Sequence, residues 1–216
     1  CGGVSLTIHT RGSVGSIHEG ISASESPRLG AQKEIDAFRK MVKILDALEK
    51  TEMTFKPWSK LPHAPAFSCG TITAGRGRDH DPRSSYFMAD FCTAIVNYAT
   101  VPGQTQDTIL ADVQRTIEKL KEEDPEIQYE IVAPVGYRGF PPIDARPDMP
   151  VIEAIKSNYR RVMGGDIKEV GAPSLMPSDH TLLYAAGVDA VCYGPTGGWV
   201  HEPAVRHYQY LSLIHI

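Results

Sequence analysis

No stretch of this sequence is apolar for long enough to cross a membrane, and none reads as a signal peptide. Basic residues are not in excess. The formal net charge is −4, whereas a nucleic-acid partner asks for a basic surface against its phosphates. Cysteine is scarce: the four residues Cys1, Cys69, Cys92 and Cys192 fall at no metal-binding or redox spacing. Cys92 and Cys192 sit inside apolar runs where buried thiols are common, so a reducing compartment, the cytoplasm, is expected. With 42% hydrophobic and 22% charged residues over 216 positions, the chain can bury one large or two small cores. It opens at Cys1 rather than Met and enters a strand almost at once, which leads us to expect a start within a larger protein.

The order of periodicities defines the first architecture. Val4 to His9 alternates apolar and polar residues at period two, the pattern of a half-buried strand. A turn-rich loop, Arg11 to Gly20, follows. From about Glu34 the period lengthens, and Ile35, Phe38, Met41, Val42, Leu45 and Leu48 mark an amphipathic helix. Pro57, Pro62 and Pro65 then remove backbone donors and predict an irregular connection. Two extended runs, about Ala66 to Ala74 and Tyr86 to Ala99, read as a hairpin with a long polar tip carrying Arg76, Arg78 and Arg83. That tip is expected to be a solvated loop, with an anion patch as the alternative. A second helix opens after Pro102-Gly103-Gln104-Thr105, with Ile109, Leu110, Val113, Ile117 and Leu120 on one face. Ile127 to Val132 completes a β-α-β-β-α-β order: a split-βαβ, ferredoxin-like sandwich with two helices on one face of an antiparallel sheet. An RNA-binding version is disfavoured by the acidic charge and by the lack of a basic and aromatic stacking pattern.

Ala133 to Pro150 is a proline-rich crossing. A helix from Val151 to Met163 follows it, then a short strand or loop near Glu169 to Ser174. Ser178 or Asp179 caps a short helix stopped by Gly187. Val188 to Pro195 reads as a buried apolar strand, and the glycine-rich loop beyond it presents His201. Sites in open α/β sheets lie at such strand ends.

That closing series, from Ser178-Asp179 through Gly194-Pro195 to His201, resembles the end of the M20 metallopeptidase family of deacetylases, desuccinylases and carboxypeptidases. Gly15-Ser16-Ile17-His18-Glu19-Gly20 is similar to the family's Gly-x-x-His-x-Gly segment. Val96 to Thr105 is similar to its Asp-x-Arg-x-x-Pro-Gly-x-Thr segment, with Asn97 and Ala99 in place of the Asp and Arg and with Tyr86 in place of an Asn.

The resemblance implies an α/β chain. It would hold a lid or dimerisation domain at 3–133, the C-terminal part of a zinc-peptidase catalytic domain at 134–210, and a truncated or non-native tail at 211–216. It implies a hydrolase acting on the amide bond of an N-acyl amino acid or small peptide, with a two-zinc centre and a homodimer paired through the lid. Tyr86 to Ala99 is the run expected to extend a sheet across subunits. His201 would be a metal ligand. His18 would reach the neighbouring subunit's active site and donate to the developing oxyanion. Ser178, Arg146, Gly194 and Gly197 would contact substrate. The family's His-x-Asp pair, bridging Asp and Glu-Glu pair have no counterpart here, and one imidazole cannot hold a catalytic zinc. The chain alone is therefore expected to be inactive, with a non-catalytic dimerisation or binding module as the alternative.

Overall fold

A computed structural model describes residues 2–13, 34–56, 58, 66–81, 87–133, 139–144, 146, 148–167, 179–191 and 193, and the backbone alone of 197–200 and 208–211. Its first part contains β1 (Gly2–Arg11), α1 (Ala37–Glu49), β2 (Ala66–Gly75), β3 (Phe91–Thr100), α2 (Gln106–Glu123) and β4 (Gln128–Val132). The four strands form one antiparallel sheet in the order β2-β3-β1-β4. This is the split-βαβ arrangement that the alternating periods predict.

Alternation along β1 is strict. Val4, Leu6, Ile8 and Thr10 are buried, and the residues between them are half-buried. On β3 the buried residues facing the helices are Cys92, Ala94, Val96, Tyr98 and Thr100, and Phe91 is buried on the other face. Met41, Ile44 and Leu48 of α1 and Ile109, Val113 and Ile117 of α2 close over this face and complete the core. Since every second strand residue points to one face and every third or fourth helix residue does the same, two layers bury one continuous apolar slab. The hairpin's second strand begins at Phe91 rather than Tyr86, which lies outside the described residues.

Local signals set the helix ends. The Asp36 carboxylate accepts from the backbone N–H groups of Phe38 and Arg39 and starts α1. Thr105 and Thr108 form a reciprocal capping box that starts α2. Gly12 is required where it stands, because a Cβ there would lie 2.0 Å from the Ile35 carbonyl oxygen.

The end of α2 is tied to α1 by charge. Lys40 Nζ donates to Asp124 at 2.7 Å and to Glu126 at 3.0 Å, and Lys43 also reaches Asp124. The hydrogen bonds from Lys40 and then Lys43 push the Asp124 carboxyl down to about 2 from an ordinary 3.8. A carboxylate held low in the folded state stabilises the fold above its unfolded value, and that stability is lost as pH falls through about 2. Asp124→Ala is therefore expected to cost roughly 2 kcal/mol at neutral pH, less than loss of a whole buried pair because Glu126 still faces Lys40. Urea denaturation should show the gap between variant and wild type closing as the medium approaches the Asp124 pKa.

Beyond the sandwich, the proline-rich crossing returns to the start of β1. Gly3 and Phe140 exchange two backbone hydrogen bonds, at 3.0 and 2.9 Å. A Cβ on Gly2 would fall 2.2 Å from the Phe140 carbonyl oxygen, so the two backbones can approach only at glycine. Helix α3 (Pro150–Met163) carries Pro at its first position and ends at Gly164 with φ 71°. Helix α4 (Asp179–Ala185) ends in a turn where Gly187 has φ 86° and Val188 N–H donates to the Leu183 carbonyl.

The strand expected at Val188 to Pro195 is not there. Residues 188–191 and 193 carry no strand, and Val188 and Tyr193 are 52% and 60% exposed. An apolar run becomes a buried strand only beside a partner that takes its backbone hydrogen bonds, and none of the described residues offers one. Part of the glycine loop is itself a strand: β5 (Gly197–Val200) pairs antiparallel with β6 (Tyr208–Leu211). Leu211 thus ends a strand, and Glu169 to Ser174 lies outside the described residues.

Candidate functional site

The sheet has two edges of different character. At β4 the edge is five residues long, and Arg11 and Glu130 form an ion pair at 3.2 Å beside it. Short, charged edges resist pairing with another chain. At β2 the edge is ten residues long, Ala66-Phe67-Ser68-Cys69-Gly70-Thr71-Ile72-Thr73-Ala74-Gly75, and carries no charge. Among the described residues no strand covers its outer side.

The expectation that the Tyr86 to Ala99 run extends the sheet is corrected by this order. Strand β3 is hydrogen-bonded to β1 on one side and β2 on the other, so its backbone groups are already used. The crossover β1-α1-β2 leaves a gap, and β3 fills it.

Helix α1 extends the open edge into a surface. Lys40 and Lys43 face α2 through Asp124. At 100° per residue, Phe38, Val42 and Leu45 fall on the opposite flank, which overlies β2. Phe38 is 43% and Val42 47% exposed, and Ile72 on the helix-facing side of β2 is 41% exposed. Cys69, on the same side of β2, is an exposed free thiol. An uncharged strand edge and an apolar helix flank therefore lie side by side. The sequence signal was legible: β2 lacks both the charge of a protected edge and the large apolar alternation seen on β3.

The helix-free face of the sheet mixes apolar residues such as Ile95 and Val132 with a polar row. One row across it reads Thr73, Thr93, His9 and Glu130. His9 Nδ1 lies 2.9 Å and His80 Nε2 3.2 Å from Thr93 Oγ1. The arginines of the hairpin tip are engaged there rather than forming an anion patch. Arg78 reaches Glu130 at 2.8 Å and stacks on Phe91 at 5.1 Å, and Arg76 stacks on Phe87 at 5.1 Å. Arg83 lies outside the described residues.

Of the residues expected at the active site, His18, Ser178, Gly194 and His201 lie outside the described residues. Gly197 is the first residue of β5 and pairs with Leu211. Arg146 is exposed in the crossing segment, near Asp144, whose carbonyl accepts from the Tyr184 hydroxyl of α4 at 3.4 Å. The described residues do not bring Arg146 together with the others. Nor do they contain a group of three or more His, Cys, Asp or Glu able to hold a metal ion, so they do not by themselves fit a two-zinc centre.

The architecture is a split-βαβ domain with one open, uncharged edge among the described residues. Residues 27–125 match the M20 family of peptidase dimerisation domains. That similarity covers just under half of the chain. The chain is 26% identical over 188 residues to the N-formyl-4-amino-5-aminomethyl-2-methylpyrimidine deformylase of Bacillus subtilis, with 82% of this chain and 43% of that protein covered. Its fold is shared with aminopeptidase PepT from Bacillus cereus at a TM-score of 0.55 and 13% identity, covering 87% of this chain and 42% of that one. Human carnosine dipeptidase 1 gives a TM-score of 0.55 at 12% identity, covering 87% and 46%. The chain thus spans less than half the length of each of these proteins.

Proposed function

We propose that the chain is part of a longer zinc-dependent hydrolase that cleaves the amide bond of an N-acyl amino acid or small peptide, and that residues 3–133 are its lid, pairing with the lid of a second copy. The observation that carries the pairing is the ten-residue uncharged edge of β2 beside Phe38 and Val42, on a domain whose family is named for dimerisation. Antiparallel addition of a second β2 satisfies both edges and covers both apolar flanks. Val42→Arg with Ile72→Lys is expected to weaken self-association by at least about a hundredfold through desolvated like charges, leaving the fold intact. Sedimentation of both chains, with circular dichroism as the control for folding, checks this; a variant that still sediments as a dimer refutes pairing through this surface.

In the longer protein His201 supplies one imidazole to a two-zinc centre, and His18 reaches the partner's site to donate a hydrogen bond to the reacting oxygen. Residues 134–210 belong to the catalytic domain, and Ser178, Arg146, Gly194 and Gly197 lie along its substrate. Alone, the chain is inactive, because a catalytic zinc needs three or more protein ligands. The free thiols of Cys69 and Cys92 are in keeping with a cytoplasmic protein.

Ala99 favours a second reading of the substrate. It stands where the family has Arg, and its strand neighbours across the helix-free face are Gly3 and Ala66, which bring no cation beside it. A formamide or other acyl-amine without a carboxylate suits such a surface, and the Bacillus subtilis relative is named as a deformylase. Turnover of an N-acetyl amino acid against an N-formyl arylmethylamine by the longer protein decides between the two. Absence of turnover with either leaves the non-catalytic dimerisation module.

A further inference from the structure

Strand β2 carries one residue more than its neighbour requires. Cys69 lies opposite Val96 of β3 and Thr71 opposite Ile95, and Gly70 between them has no partner in the ladder. Residues directly opposite in an antiparallel pair share a face. Phe67, Cys69, Ile72 and Ala74 oppose buried, helix-facing residues of β3, whereas Ala66, Ser68, Thr71, Thr73 and Gly75 oppose residues of the helix-free face. A Cβ on Gly70 would lie 3.0 Å from Asn97 Nδ2, so Gly70 is turned to the helix-free face as well. The order of faces along Ala66–Gly75 is therefore the same from either end, with its centre between Gly70 and Thr71.

This symmetry restricts how the strand can meet its own copy. A regular strand pairing antiparallel with itself keeps its faces aligned only when some residue lies opposite its own counterpart, because side chains alternate. The extra residue reverses that rule across the bulge. With Ala66 opposite the partner's Gly75, and Gly70 opposite the partner's Thr71, all ten residues pair and every pair shares a face. Sliding by two residues sets Cys69 against the partner's Gly70, or Thr71 against the partner's Ile72, on opposite faces. Sliding by one misaligns nearly every pair. The ends of the edge agree: Pro65 has no N–H to give, and the Arg76–Asp81 bridge closes the hairpin turn just beyond Gly75.

We propose that a second copy adds to β2 in this one register, with the two-fold axis between Gly70 and Thr71 and the bulge as the feature that selects it. This register rests on the pairing through β2 proposed above. On the helix-facing side Cys69 then lies opposite the partner's Ile72, and Ile72 opposite the partner's Cys69. Each covers a side chain that a single chain leaves exposed, Ile72 at 41% and the free thiol of Cys69. No like charges meet, since the edge carries none.

Cysteine pairs in the full chain test the register. In a background with Cys1, Cys69 and Cys192 changed to Ser, Ser68→Cys with Thr73→Cys sets two thiols directly opposite across the axis, within the Cα separation of about 4.4 to 6.8 Å that a disulfide needs. Within one chain they lie about 15 Å apart along the strand, so only two copies can be joined. Ala66→Cys with Thr73→Cys, and Ala74→Cys with Cys69 retained, report the registers two residues to either side. Oxidised glutathione, which takes the two electrons and two protons of each new bridge, is expected to convert the first variant to covalent dimer at least about tenfold faster than either of the others. Sedimentation under reducing conditions reads pairing separately, with circular dichroism as the control for folding. A reduced dimer in which another pair cross-links as fast as the first overturns the register and keeps pairing through β2. A reduced dimer in which no pair cross-links puts the interface elsewhere and overturns both, and a reduced monomer removes the pairing and the register with it.

Discussion

On the proposed reading, replacing His201 by alanine in the longer protein is expected to cut amide hydrolysis by at least about a hundredfold and to lower metal occupancy, with the lid's fold unchanged. A catalytic zinc is held by few protein ligands, so losing one imidazole removes a large share of the binding energy. It also changes the coordination that tunes any bound water. In the present chain the same substitution should do little. On the same reading zinc should bind weakly to wild type and variant alike, and thermal stability should move by no more than about 0.5 kcal/mol. Calorimetric zinc titration of the chain, beside assays of the longer protein, separates the two situations. Full activity in the longer variant would remove His201 from the metal site.

Leu6→Ala should produce the largest loss of stability, about 3 to 4 kcal/mol. Leu6 is 0% exposed on β1, opposite Val96 of β3, and belongs to the core cluster that both helices cover. Truncation forfeits the transfer energy of three carbons and leaves a cavity that the paired strand β3 and two packed helices cannot readily fill. Thr7, one residue along, points to the helix-free face, and Thr7→Ala should cost less than about 1 kcal/mol. Urea midpoints of the pair measure the asymmetry directly. Equal losses would mean that the period-two reading of β1 is wrong.

Ile72 and Ile95 show why a surface is harder to read than a core. Both are β-branched residues within strands, and both are partly exposed, at 41% and 38%. Yet Ile95 sits on an interior strand while Ile72 sits on the free edge. Their local sequences do not distinguish them, because edge or interior position depends on which strand a crossover leaves room for.

His9 makes the same point for chemistry. Nothing near it in sequence suggests a partner, since Thr93 and His80 are 84 and 71 positions away. Antiparallel register between β1 and β3 brings Thr93 beside it, and the turn at the hairpin tip adds His80.

Periodicity and end signals by themselves determined the two-layer domain: alternation along β1, a 3.6-residue repeat on α1 and α2, and the start of α2 after Thr105. These signals are local, arising from backbone geometry within one element, and so survive in a bare sequence. Tertiary structure alone decided that β2 rather than β3 is the open edge, that Arg76 and Arg78 of the tip are spent on Glu130 and aromatic rings, that Val188 to Val191 is no strand, and that two histidines share one hydroxyl. Each of these depends on which backbone groups and charges another part of the chain has already satisfied, a property of neighbours in space that no single segment encodes.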